Sequence, residues 1–128
     1  MIVIDTNVIS YYWLKNEHSA SARKVRRKDG AWVAPLLWPN EFRSVLAQHM
    51  KVKGLPYSEA LRAAQMAERD MRGREHAVAV ADVLKLVERT GHSAYDCEYV
   101  ALAQALSVPL VTGDKRLPLL FPGTAVLL

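Results

Sequence analysis

Two short apolar runs, each followed by an aspartate, constrain the fold of this chain more than any other feature. Residues 1–4 read MIVI and lead directly into Asp5, and residues 108–112 read VPLVT and lead through Gly113 into Asp114. Short apolar runs rich in Val and Ile are typical of strands that are buried on both faces of a parallel sheet. Open sheets of this kind place their chemistry at the carboxyl ends of the strands. The two runs therefore predict a parallel sheet that carries both aspartates at one edge.

The rest of the chain alternates predicted strands and helices. Further strands are predicted at residues 31–34, 76–80 and 124–128. Apolar residues at helical spacing predict helices at 6–15, 19–28, 35–53, 57–72, 81–90 and 93–106, with a short helical turn at 115–121. This order predicts an α/β fold in a single domain, residues 1–128, with a mostly parallel central sheet of four to five short strands flanked by helices.

Composition narrows the classes of partner and compartment. The chain of 128 residues is long enough for one domain, and its net charge of +4 favours an anionic partner such as nucleic acid. It contains one cysteine, Cys97, so no internal disulfide is possible and a cytoplasmic location is expected. No apolar run approaches the ~18 residues of a membrane span, and Asp5 interrupts any signal peptide, so no membrane association is expected.

Two further acids lie in the first turns of predicted helices: Glu41 in PNEF and Asp96 in SAYD. Helices that follow parallel strands begin at the carboxyl edge of the sheet, so all four acids can converge there. Helix capping or the helix dipole also explains each acid taken alone, and Ser93 with Asp96 matches a capping box. Carboxylates that cluster repel one another unless a cation lies among them, and hard oxygen ligands select Mg²⁺ or Mn²⁺.

Three segments, in this order and at these separations, resemble a PIN-domain nuclease, and more narrowly a VapC-type toxin of a bacterial VapBC toxin–antitoxin pair. They are VIDTNVIS, LLWPNEFRSVL, and SAYDCEYVALAQAL followed after one residue by VPLVTGDKRL. The resemblance covers nearly the whole chain, and the last segment is its most specific part. It implies a PIN-like fold and a metal-dependent endoribonuclease that hydrolyses RNA phosphodiester bonds with Mg²⁺ or Mn²⁺.

The resemblance also implies roles for individual residues. Asp5 and Asp96 would be the main metal ligands, with Glu41 and Asp114 completing the site. Polar residues that match the family pattern lie beside the first and last acids: Thr6, Asn7 and Thr112. After Asp114 the chain reads Lys-Arg-Leu, so a further family acid at that point has no counterpart.

Position along the chain selects three candidate RNA contacts. Lys115 and Arg116 directly follow Asp114, and Arg43 lies two residues after Glu41. Each would lie near the rim of the predicted site, where a cation can contact a phosphate. We expect these three contacts only from the positions of the residues in the sequence.

The sequence also predicts two protein partners, of which the first is implied by the resemblance. A VapB-type antitoxin would wrap the chain and thread a segment over the site. The apolar helices at 36–50 and 57–71 are long for so small a sheet to cover, which predicts a homodimer interface on them.

Three alternatives remain open from the sequence. A PIN ribonuclease of RNA processing would need no antitoxin. A phosphatase of the haloacid-dehalogenase type would need a second Asp where Asn7 lies. A non-catalytic phospho-signalling or binding module would not need all four acids.

Overall fold

The computed structural model describes residues 1–128 and contains five strands in one sheet, with seven helices around it. The strands are β1 (Ile2–Ile4), β2 (Trp32–Pro35), β3 (Glu75–His76), β4 (Leu110–Thr112) and β5 (Ala125–Leu127). The helices are α1 (Thr6–Trp13), α2 (Ser19–Lys28), α3 (Trp38–Lys53), α4 (Tyr57–Met71), α5 (Val80–Thr90), α6 (Ala94–Leu106) and α7 (Arg116–Leu120).

The sheet is parallel throughout, and its strand order is β3-β2-β1-β4-β5. The chain starts in the centre, builds outward through β2 and β3, and then returns to the other side of β1 to add β4 and β5. The order therefore reverses between β1 and β4, and the crevice at such a reversal is where open α/β sheets bind their ligands. Asp5 and Asp114 follow these two strands.

Burial explains why β1 lies in the centre. Val3 and Ile4 are fully buried, as the continuous apolar run predicted. Val3 lies opposite Val33 of β2 and Leu110 of β4, so β1 is hydrogen-bonded on both sides. The hydrogen bonding to β4 continues past β1, because the Asp5 N–H donates to the Val111 carbonyl at 3.3 Å.

Two groups of helices pack around this sheet. Helix α1 contacts α2, α3 and α4, whereas α6 packs on β1 and β2 and against α5. The largest fully buried side chains come from both groups and from the strands: Trp32, Trp38, Tyr99, Phe42 and Phe121. No helix is both long enough and apolar enough to span a membrane.

The predicted elements agree with the structure except at a few positions. The strand predicted at 76–80 is wrong beyond His76, because β3 contains only Glu75 and His76 and the next helix already begins at Val80. The alternation in HAVAV does not reach Val80, which is 72 % exposed although Val78 packs against the core, and Val83 and Leu86 bury the inner face of the helix. Helix α1 ends at Trp13 rather than at residue 15.

Candidate active site at the sheet edge

The four predicted acids lie at the carboxyl edge of the sheet, and we call Asp5, Glu41, Asp96 and Asp114 the acid site. Asp5 follows β1, and Asp114 follows β4 by two residues. Glu41 and Asp96 lie in the first turns of α3 and α6. Topology alone thus delivers four carboxylates from four segments to one crevice.

Asp5 is the most deeply buried acid of the site, with 7 % of its surface exposed. Its Oδ2 accepts hydrogen bonds from Thr112 Oγ1 and from the Gly113 N–H, at 2.5 and 3.2 Å. Its Oδ1 accepts the Val8 N–H at 3.0 Å, so Asp5 is the N-cap of α1 as well as a member of the site. Burial raises its pKa from 3.8 to about 6, against the effect of these hydrogen bonds, and the charge of Asp96 adds to the rise.

Two hydroxyls hold Glu41. Tyr99 and Thr6 both donate to Glu41 Oε1, at 2.7 and 3.1 Å, and their own oxygens are 2.7 Å apart. Burial and the charge of Glu41 raise the pKa of Tyr99 far above its usual range, so its hydroxyl keeps the proton that it donates. Both hydroxyls act on Oε1, and Oε2 accepts no hydrogen bond from the protein.

Asp96 and Asp114 form the more exposed half of the site, together with His92. Asp96 Oδ2 lies 2.8 Å from His92 Nε2, and one ligand atom from each of these three residues lies within 4.8 Å of the others. The predicted capping box is only half formed, because Ser93 caps α6 but the Asp96 carboxylate bonds His92 instead. The Arg116 guanidinium donates to both oxygens of Asp114 and holds the pKa of that carboxyl below its usual range.

The candidate RNA contacts have different surroundings. Lys115 is exposed and has no acidic partner. Arg116 bridges to Asp114 at 2.7 Å while its side chain stays 71 % exposed. Arg43 forms an ion pair with Glu68 of α4 at 2.7 Å, which neutralises its charge.

Sequence reasoning did not select three residues that the structure places in the site. Tyr99 follows Asp96 by three residues on α6, and this helical spacing was the one available signal. His92 was visible four residues before Asp96, but the sequence alone did not show that its ring faces the acids. Gly113 lies against α1, where a Cβ would come within 2.8 Å of Asn7 Cβ.

A cleft leads away from the acid site along α3. Its floor and walls contain Thr6, Asn7, Glu41 and His49. His49 also lines a larger, partly apolar groove between the end of α1 and the turn that joins α3 to α4, with Trp13, Leu55 and Met66. Both depressions are lined by His49, so the partly apolar groove lies beside the cleft that contains Glu41.

Fold and site together define an α/β protein with a cluster of carboxylates at the switch point of a parallel sheet. The sequence model of the PIN domain family matches residues 2–120, so this chain belongs to the PIN domain family. PIN domains are nucleases, and His92, Asp96 and Asp114 of this chain form a group that could hold a metal ion.

Solved structures share this fold at low sequence identity. The crystal structure of PAE2754 from Pyrobaculum aerophilum has a TM-score of 0.78 and 17 % identity, over 98 % of this chain and 89 % of that one. A toxin–antitoxin complex from Klebsiella pneumoniae has a TM-score of 0.72 and 15 % identity, over 98 % of this chain and 96 % of that one. The crystal structure of FitAcB from Neisseria gonorrhoeae has a TM-score of 0.71 and 19 % identity, over 99 % of this chain and 96 % of that one. No protein of curated function matches the chain.

The raised pKa of Asp5 predicts the pH dependence of stability in metal-free protein. The folded state binds the Asp5 proton more tightly than the unfolded state, since the folded pKa is about 6 and the ordinary value is 3.8. The contribution of this carboxyl to the free energy of unfolding is therefore largest below pH ~4 and is lost as the pH rises through ~6. At about 1.4 kcal/mol per pKa unit, the loss is about 3 kcal/mol.

Urea unfolding in chelator at acid and neutral pH would measure this loss. The fall in stability between the two pH values should be smaller in Asp5→Asn than in the wild type, because the variant has no carboxyl to ionise there. Asp82→Asn, on the exposed side of α5, should keep the wild-type dependence. An equal fall in Asp5→Asn and the wild type would contradict the assignment.

Proposed function

We propose that this chain is a metal-dependent endoribonuclease and the toxin of a type II toxin–antitoxin pair. The observation that carries the proposal is that Asp5 and Glu41 have no basic partner in the chain. Both carboxylates lie in the crevice at the switch point, and neither forms an ion pair with a basic residue of the chain. A buried carboxylate of this kind is costly unless a cation accompanies it, and family membership makes that cation a catalytic one.

The donor set fits a hard divalent ion. All four acid-site residues offer carboxylate oxygens, the ligands that Mg²⁺ and Mn²⁺ prefer. Asp5 and Asp96 would be the main ligands, directly or through water, and Glu41 and Asp114 would complete the site. Such an ion would lower the pKa of a bound water and stabilise the charge on the phosphoryl group under attack.

The chain's own residues prepare this site for hydrolysis. Thr112 and Gly113 fix Asp5, so its orientation does not depend on substrate. Thr6 and Tyr99 fix Glu41 through one oxygen and leave the other able to orient a water and accept its proton. Asn7 is exposed beside Glu41 on the cleft wall, where it can hydrogen-bond the substrate.

An RNA strand is the substrate that we assign, from the resemblance to VapC-type toxins and from charge. The net charge of +4 attracts a polyanion, and Lys115 and Arg116 present cations beside Asp114. We also assign the cytoplasm as the place of action, because the proposed substrate is found there.

An antitoxin of the VapB type is the proposed partner. One of the structures that share this fold is a toxin–antitoxin complex, the one from Klebsiella pneumoniae. The apolar groove beside Trp13, Leu55 and Met66 suits an apolar partner segment. The cleft that contains Glu41 lies beside this groove, which would let a cation of that segment reach the acids.

A homodimer is also proposed, through α3 and α4. Tyr57 and Leu61 share a face of α4 and are 69 % and 40 % exposed, and Val52 of α3 is 67 % exposed. Exposed apolar groups on adjacent helices favour association with a second copy. Light scattering should give twice the monomer mass, and Leu61→Glu should give the monomer, whereas Leu84→Glu on exposed α5 should stay dimeric. A monomeric wild type at high concentration would refute the dimer.

Cleavage of total bacterial RNA by the purified chain tests the proposed activity. Discrete fragments should form with Mg²⁺ or Mn²⁺ and should be absent with chelator, and end mapping would identify the bond that is cut. The antitoxin is tested separately by co-expressing the chain with the product of a small neighbouring gene and looking for a stable, inactive complex. A well-folded chain that binds Mn²⁺ but cuts no RNA would contradict the ribonuclease assignment.

A further inference from the structure

We propose that His92 is a nitrogen ligand of the metal ion in the acid site, beside Asp96 and Asp114. This inference rests on the proposed function, because it concerns the same ion. It adds a residue that the acidic family pattern does not include, and it assigns the site a preference for Mn²⁺ over Mg²⁺.

The distances in the cluster match those between ligands of one ion. His92 Nε2 and Asp96 Oδ2 are 2.8 Å apart, and the chosen ligand atoms of His92, Asp96 and Asp114 all lie within 4.8 Å of one another. In an octahedral site with bonds of about 2.1 Å, neighbouring ligand atoms are about 3 Å apart and opposite ones about 4.2 Å apart. The three groups therefore need small movements to bind one ion, and Arg116 must release at least one of the two Asp114 oxygens to which it now donates.

The imidazole is held in place before any ion arrives. Gly91 ends α5 in the left-handed conformation, with φ 67°, and Ser93 caps α6 two residues later. Between them, the His92 N–H donates to Thr90 Oγ1 at 3.2 Å. The His92 side chain is only 11 % exposed, so its ring is packed against the protein and directed at Asp96.

Charge favours a neutral donor at this point. Asp5, Asp96 and Asp114 already bring three carboxylates, and a fourth close acid would add repulsion. Neutral imidazole adds a lone pair without adding negative charge. Imidazole binds transition metals better than it binds Mg²⁺, so a mixed nitrogen and oxygen set favours Mn²⁺.

The competing explanation is that His92 only orients Asp96 through a hydrogen bond. The variant His92→Gln separates the two, because the Gln amide nitrogen takes the place of Nε2 and can still donate to Asp96 but does not bind metal. Ligation predicts that the ratio of Mn²⁺ to Mg²⁺ affinity falls by about tenfold in this variant, because Mn²⁺ gains more than Mg²⁺ from a nitrogen ligand. Orientation alone predicts that the ratio of Mn²⁺ to Mg²⁺ affinity stays as in the wild type.

Electron spin-echo spectroscopy of bound Mn²⁺ tests the inference without any measurement of activity. The wild type should show modulation from a directly bound ¹⁴N, and labelling with ¹⁵N-histidine should replace it. His92→Gln should lose this modulation, and His18→Gln should keep it, since His18 also precedes a helix but is 48 % exposed beside Glu17. The isotope experiment uses the wild type, so the absence of a modulation that responds to labelling would overturn the inference even if the variant fails to fold, and the variants identify which of the four histidines is bound.

The outcomes separate this inference from the proposed function. Bound Mn²⁺ without nitrogen modulation in the wild type would overturn the role of His92 and leave the metal-dependent nuclease in place. If the wild type binds no Mn²⁺ at all, both are overturned. Nitrogen modulation that is lost in His92→Gln supports both.

Discussion

Replacing Asp5 with Asn is expected to slow RNA cleavage by about a thousandfold or more at saturating Mn²⁺. Residues that merely support a metal ligand typically change affinity or activity ten- to a hundredfold, and the loss of a direct ligand at the centre of the site should exceed that. An Asn side chain keeps the shape of Asp5, so the Val8 N–H still finds an oxygen and α1 keeps its cap, although the amide nitrogen in place of Oδ2 cannot accept from the Gly113 N–H. The charge is the main thing lost.

The measurement is the initial rate of cleavage of a defined RNA, identified from the fragment map, with Mn²⁺ titrated over a wide range. Asp82→Asn is the matched control, because it removes one carboxylate from an exposed position of helix α5.

The stability of Asp5→Asn should change in the opposite direction from its activity. Metal-free Asp5→Asn should be no less stable than the wild type at neutral pH, since burial of the ionised carboxyl is what raises its pKa. A variant that is equally active would show that Asp5 serves only as a helix cap.

The cap and the active-site acid are not competing explanations for Asp5. From the sequence, either role accounts for an acid between an apolar strand and a helix. In the structure the two oxygens of the carboxylate have different partners, so the two roles are compatible. Oδ1 caps α1, and Oδ2 accepts from Thr112 and Gly113. A short strand that leads straight into a helix places an acid at the sheet edge and at the helix start at once.

The fold was largely predictable because its signals are local. The run before Asp5 is buried from Ile2 to Ile4, the run before Asp114 is buried at Leu110 and Thr112, and parallel pairing follows from the helices between strands. Pro39 lies in the first turn of α3, as its missing N–H requires. The prediction for the segment HAVAV failed because β3 is an edge strand of only two residues, and although Val78 still packs against the core, the chain after His76 pairs with no strand.

The support of the site was less predictable because it depends on contacts between distant segments. Tyr99 reaches Glu41 across 58 positions of the chain, and Thr112 reaches Asp5 across 107. Thr112 was selected only because it matches a family pattern. Tyr99 lies in a helix that the sequence predicted, but nothing in the sequence indicated the direction of its hydroxyl.

Gly113→Ala is expected to damage the site although Ala is the smallest possible change. A Cβ at this position would lie 2.8 Å from Asn7 Cβ and 3.0 Å from the Tyr11 ring and hydroxyl. Rotating the side chain of Asn7 does not relieve the first contact, because a Cβ is fixed by its backbone. Either the start of α1 or the loop after β4 must therefore move. Each movement separates the Gly113 N–H from Asp5, which it now meets at 3.2 Å.

Overpacking of this kind costs about 1–3 kcal/mol of unfolding free energy, and a shift of about 1 Å at a catalytic group costs about a hundredfold in rate. Urea unfolding and the cleavage rate at saturating Mn²⁺ would measure both losses. Gly30→Ala is the control, because its nearest non-neighbouring atom would be 3.5 Å away and it should change stability little. The conformation of Gly113 is open to any residue, so backbone strain does not enter the comparison. If Gly113→Ala behaved like Gly30→Ala, the contact between the β4 loop and α1 would be soft, and Asp5 would owe its position to Thr112 and Val8 alone.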